Sequence, residues 1–187
     1  MKIDDGTGHG FQMKVDDENL AHVLATIVDI QHHTNHVHGK AYTLDLDGVT
    51  AGQDADYFVY MLNTDDDDLI VSSITLWAAT DKDDDNVEAW IGKALASVAN
   101  ETAVVPANLN GGCTLNAAGT FYVSDGTAGG ITTLTGGRQA GRMKFYSKPT
   151  KWEKSSHWLI PKNSTFCLKT EKDNKYTGYI SFYFHND

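Results

Sequence analysis

Four of the eight histidines fall within nine residues, in the run Gln31-His32-His33-Thr34-Asn35-His36-Val37-His38-Gly39. Neutral imidazoles bind zinc, nickel or copper. In an extended chain His36 and His38 share one face, and in a helix His32 and His36 do. A zinc enzyme of the HExxH type is excluded, because no Glu accompanies the pair. The plainer reading is a solvated polar loop between two strands, with His32, His36 and His38 as the donors if a metal were bound. A pH-sensitive contact between subunits is the third reading. The run Asp81-Lys82-Asp83-Asp84-Asp85-Asn86 places carboxylates at Asp81, Asp83 and Asp85, as calcium loops do. An EF-hand also needs Gly at its sixth position and Glu at its twelfth, where this chain has Asn86 and Gly92. An exposed, solubilising turn is therefore expected. The four aspartates at 65–68 are read in the same way, with calcium between loops or subunits as the alternative.

Other catalytic patterns are absent. Ser155 and Ser156 stand beside His157, but adjacency in sequence makes no triad, and there is no GxSxG elbow. Gly6-Thr7-Gly8-His9-Gly10 and Gly136-Gly137-Arg138 lack the P-loop and dinucleotide patterns. The expectation is a protein without catalytic activity or cofactor. Cys113 and Cys167 are read as buried free thiols, since two such distant cysteines build neither a disulfide framework nor a zinc knuckle. Trp77 and Trp90 lie in apolar strand patterns and read as core. Trp152, within Lys148-Pro-Thr-Lys-Trp-Glu-Lys154, reads as a partly exposed contact residue.

These side chains need elements to hold them, and the elements read as strands. Seventeen glycines and three prolines punctuate short runs of Val, Ile, Thr, Tyr and Phe. The candidate strands are 11–15, 40–46, 56–63, 69–80, 87–95, 102–108, 119–123, 142–147, 158–160, 164–169 and 176–184. The second apolar run after residue 55 follows the first through Asp65–Asp68, which predicts a hairpin with a solvated tip. The glycine-rich stretch 126–141 is read as a long loop. The run from Asn19 to Gln31 fits helix and strand spacing alike, and its β-branched end favours a strand. No series of amphipathic helices separates the strands and no fixed-period repeat is visible. The expected fold is one all-β domain, an antiparallel sandwich or jelly roll, over 19–187. Residues 1–18 are expected to form a polar arm or edge strand. There Phe11, Met13 and Val15 alternate and are candidate interface residues, together with Trp152.

The chain has 187 residues, 41% of them hydrophobic and 21% charged, with a net charge of -10. That acidity argues against nucleic-acid binding and against docking on an anionic membrane. No apolar run reaches the ~18 residues of a membrane-spanning helix. The polar, acidic N-terminus does not read as a secretory signal, so synthesis is expected to end in the cytosol.

Six segments together carry a resemblance: Gly6-Thr-Gly-His-Gly-Phe-Gln-Met-Lys-Val15, Gly39-Lys-Ala-Tyr-Thr-Leu44, Tyr57-Phe-Val-Tyr-Met-Leu-Asn63, Asp68-Leu-Ile-Val-Ser-Ser-Ile74, Asn108-Leu-Asn-Gly-Gly112 and Trp158-Leu-Ile-Pro-Lys-Asn-Ser-Thr-Phe166. In this order the chain resembles small β-sandwich virion proteins of tailed bacteriophages. Leu62-Asn63 and Pro161-Lys-Asn163 depart from the Lys-Asn and Pro-Lys-Gly common in such proteins. The resemblance implies a structural protein of the virion, assembled in the host cytoplasm. The expected role is a capsid decoration or cement protein on the outside of the head, contacting the major capsid protein or other virion proteins. It supplies no active site. A homo-oligomer, with a trimer as the expected form, follows from the symmetry of such particles. The alternative is a receptor- or carbohydrate-binding module of a tail or fibre.

Overall fold

The computed structural model describes residues 14–15, 21–22, 33–78, 85–93, 98–129, 131 and 137–185, with backbone alone at 14, 15, 21, 22 and 154–156. Its regular structure is almost entirely strand. β1 (Lys14–Val15) pairs antiparallel with β2 (Ala21–His22), joining Val15 to Ala21 across the expected arm boundary. Phe11 and Met13 lie outside the described residues, as do most of Asn19 to Gln31.

The remaining strands build two antiparallel sheets. In chain order they are β3 (Ala41–Thr50), β4 (Tyr57–Asn63), β5 (Asp68–Ala78), β6 (Asp85–Lys93), β7 (Glu101–Ala103), β8 (Ala107–Asn108), β9 (Gly119–Ser124), β10 (Arg138–Phe145), β11 (Thr150–Ile160), β12 (Ser164–Thr170) and β13 (Lys175–His185). One sheet has the order β10-β6-β12-β4-β9-β7, the other β11-β5-β13-β3-β8. The expected all-β sandwich is what forms.

From β3 onward no described strand pairs with its successor. At most connections the chain crosses from sheet to sheet instead, which corrects the expected hairpin: β4 and β5 stand in different sheets, and Asp65–Asp68 turns the corner between them. Asn63 fixes that corner. Its buried amide donates to the carbonyls of Asp67 and Ile160, at 2.9 Å each, and its Oδ1 accepts from the Asp65 N–H at 2.9 Å. A side chain that satisfies three backbone groups can hold the chain off the ladder geometry a hairpin needs. The run 102–108 is likewise two strands in two sheets, separated by Val104-Val105-Pro106, where Pro106 has no N–H to give a ladder. The expected loop 126–141 ends early, because β10 already begins at Arg138. β11 is far longer than the three residues expected, and its register with β5 shifts between Glu153 and Trp158.

Aromatic rings from the two sheets interlock in the core. Phe58 stacks on Tyr176 at 4.5 Å, Phe121 meets Phe182 at 5.3 Å and Phe166 meets Trp158 at 5.6 Å. The tryptophans sort opposite to expectation. Trp152 is 8% exposed and packs edge-on against Trp158 at 5.0 Å. The charges around it belong to the other face, since Lys151 and Glu153 alternate with it along β11. Trp77 and Trp90 are half-buried on the outer faces of the two sheets. Gly141 makes room for the inverted Trp152, because a Cβ there would lie 2.7 Å from its indole.

Candidate docking face

The histidine run folds as a single π-helical turn, Thr34–His38, closed by Gly39 in the left-handed region (φ 63°). Asn108 and Asn110 hold it from outside the run. Asn108 donates to the Gly39 carbonyl at 2.7 Å, and Asn110 donates to that of Asn35 at 3.0 Å. The turn brings His33 against His38, with ring centroids 5.6 Å apart and edge to face. It does not give the strand on which His36 and His38 would share a face. His32 lies outside the described residues. Among the described residues no group of three His, Cys, Asp or Glu is placed to hold a metal.

Asp81 and Asp83 also lie outside the described residues, whereas Asp85 opens β6 and is buried. It is no part of an exposed turn. Its Oδ2 accepts from the Tyr176 hydroxyl and from Thr170 at 2.7 Å, and its Oδ1 has no hydrogen-bond partner among the described residues. Burial and this carboxylate together hold the Tyr176 hydroxyl protonated far above the usual tyrosine range. The arrangement ties the two sheets together through polar groups at one end of the sandwich.

At the acidic corner the four aspartates do not all face water. Lys40 Nζ lies 2.5 Å from Asp67 and 3.6 Å from Asp65, whose side chains are each 21% exposed. Lys162 reaches the exposed Asp66 at 2.5 Å. The hydrogen bond to Asp67 raises the Lys40 pKa, and Lys162 lowers that of Asp66. Protein cations, where solvent ions were expected, balance this turn.

Of the cysteines, Cys167 is buried as expected, while Cys113 is half-buried with its Sγ 3.8 Å from the Gly39 carbonyl. His157 is exposed with φ 48°, and its ring meets Tyr183 edge-on at 6.4 Å.

The outer face of the five-stranded sheet has a pattern that motif reading does not detect. Register places Lys151, Thr75, Tyr179 and Asp45 in one row across four strands. The next row is Glu153, Ser73, Ser181 and Thr43, and Leu159 and Ile70 lie in a third. Ser and Thr form a low floor. Tyr179, 42% exposed, and Leu159, 49% exposed, rise from it, with half-buried Trp77 diagonal to Tyr179. Thr75 Oγ1 is buried in that floor without a hydrogen-bond partner among the described residues. An aromatic and an aliphatic anchor on a flat, small-residue floor, with a cation at one end of a row and an anion at the other, is a surface suited to another protein. Its signal in the sequence is the period-2 Ser/Thr of β5 and β13, visible only once the pairing is known.

Two clefts flank the crossing strap Val104–Pro106. One, of about 290 Å³, lies against β9. The other, of about 420 Å³, is lined by Asp45, Asp47, Val49, Val105 and Val123 among others. Compared with protein families, with curated proteins and with solved structures, the chain shows no match in any of the three.

Proposed function

We propose that this chain is a non-catalytic structural protein of a tailed-phage virion, a decoration or cement protein that docks on the outside of the head. The observation that carries the reading is the flat outer face of the five-stranded sheet, where Tyr179 and Leu159 stand exposed over a Ser/Thr floor. Such a face offers extended contact to a protein surface and little enclosure for a small substrate. The resemblance of the six segments supplies the kind of particle. The net charge of -10 supports attachment to the outside of a shell rather than to the packaged genome. Partners are the major capsid protein or a neighbouring virion protein, and a trimer suits threefold points of the shell.

A receptor- or carbohydrate-binding tail module is the second reading. It is favoured by one observation, the diagonal placement of Trp77 and Tyr179 on the same outer face, where sugar rings could stack. Copy number separates the two. Quantified protein bands from purified particles should give hundreds of copies per particle for a decoration protein. A few dozen or fewer would turn the assignment to a tail or fibre component.

A further inference from the structure

The sandwich carries opposite charge on its two lateral ends. Strands β10 and β11 form one end, each the last strand of its sheet, and β7 and β8 form the other. The segment 138–154, which is β10, its connection and the start of β11, holds six of the fifteen Lys and Arg and one of the twenty-five Asp and Glu. Its formal charge is +5 in a chain of net -10, which leaves -15 for the rest, and the pairing of Arg142 with Glu171 offsets one of those positive charges. At its corner Tyr146 is 46% exposed between exposed Lys144 and Lys148.

The opposite end is complementary. Asp45 and Asp47 are exposed on the rim of the 420 Å³ cleft, and Val105, 81% exposed, forms part of its wall. Glu101 on β7 and Asp125 just after β9 add charge, while Lys175, lying against Gly48, offsets some of it. A cleft with carboxylates on its rim and valines inside matches a phenol ring flanked by two ammonium groups. Three strand spacings of about 4.8 Å, roughly 14 Å, separate β11 from the β3 that carries Asp45 and Asp47, so one copy cannot satisfy both with itself.

We propose that copies of this chain associate head to tail, the Lys144–Lys148 corner of one seated in the Asp45–Asp47 cleft of the next. The contact is heterologous, so it repeats from copy to copy and does not stop at a dimer, and a rotation that closes gives a ring of three or more copies. It uses Asp45, the acidic end of the Tyr179 row, and leaves Tyr179 and Leu159 themselves for docking. The homo-oligomer of the functional reading thereby acquires a specific interface, which holds or fails independently of any particle.

Sedimentation velocity on the purified chain tests this. At about 0.05 M salt a discrete species of three or more copies is expected. At about 1 M salt, where the Debye length falls to ~3 Å, it should dissociate to monomer. Asp45→Lys with Asp47→Lys, and separately Lys144→Glu with Lys148→Glu, should each weaken association at least tenfold, and mixing the two variants should restore binding of one variant to the other, because the Glu corner of one then meets the Lys cleft of the other. Asp45→Asn with Asp47→Asn, a milder change, should weaken it in the same direction, with circular dichroism confirming the fold of each variant. Tyr179→Ala with Leu159→Ala should leave it unchanged. A monomer at low salt, a species that stops at a dimer, or association indifferent to the charge reversals would overturn the proposal. Loss of association on the Tyr179 and Leu159 change would also overturn it, by placing the self-contact on the outer face.

Discussion

Lys40 stands between two carboxylates that the sequence presents only as members of a run of four. The pair with Asp67 is one-third exposed or less on both sides, so it contributes at the upper end of what surface ion pairs do, about 1 kcal/mol. Asp67→Asn should lower the melting temperature by a few degrees, whereas Asp66→Asn should leave it unchanged, because Asp66 and Lys162 meet in solvent. The pH dependence has a definite sign. Lys40 is raised above its ordinary 10.5, so its contribution is complete below that value and is lost as pH rises through the folded one. Thermal melts at pH 8 and 11 read this, and the Asp67→Asn variant should show a smaller alkaline loss. Burial also pushes the Tyr57 hydroxyl up to about 12 and the Cys167 thiol well above the ordinary thiol range. A thiol reagent at neutral pH should accordingly modify Cys113 and spare Cys167 until denaturant is added. Equal rates at the two would contradict the burial.

At the scale of elements, strand positions were legible and strand partners were not. The run Tyr176–Phe184 shows its alternation openly and becomes β13 with one residue added at each end. The apolar runs on either side of Asp65–Asp68 show their strands as well. What they hide is the Asn63 side chain, whose three hydrogen bonds turn the chain into the other sheet. A turn signal states that the chain reverses. It does not state whether the next strand lies about 4.8 Å away in the same sheet or about 10 Å away in the facing one. Trp152 misleads for a related reason, because charged neighbours at one-residue spacing occupy the opposite face of a strand. The docking face was illegible too, since Thr75, Tyr179 and Lys151 are brought into one row only by register. Gly178 tests the register itself. It has φ 151°, lies where the β3–β13 register shifts, and a Cβ there would sit 2.0 Å from the Thr75 carbonyl oxygen. Gly178→Ala should cost about 2–4 kcal/mol, read as a lower denaturation midpoint, because a backbone carbonyl cannot swing away as a side chain can.

For the whole molecule, pairing between strands distant in sequence has a kinetic consequence. Every ladder from β3 onward closes a long loop before it gains contacts, so refolding should take milliseconds to seconds rather than microseconds. Stopped-flow tryptophan fluorescence would follow it, because Trp152 and Trp158 of β11 meet Phe145 and Phe166 of the facing sheet only when the two sheets close. The same closure spreads β11, β5, β13 and β3 into the one flat face on which the functional reading depends. The most direct test of that reading is saturation binding of the purified chain to phage heads assembled without it, by cosedimentation. The wild-type chain should bind saturably at hundreds of sites per head. Tyr179→Ala with Leu159→Ala should weaken binding by about thirtyfold, the ~2 kcal/mol of a buried anchor, with the fold unchanged. Saturable binding that is indifferent to both substitutions, or no binding to heads at all, would contradict the account.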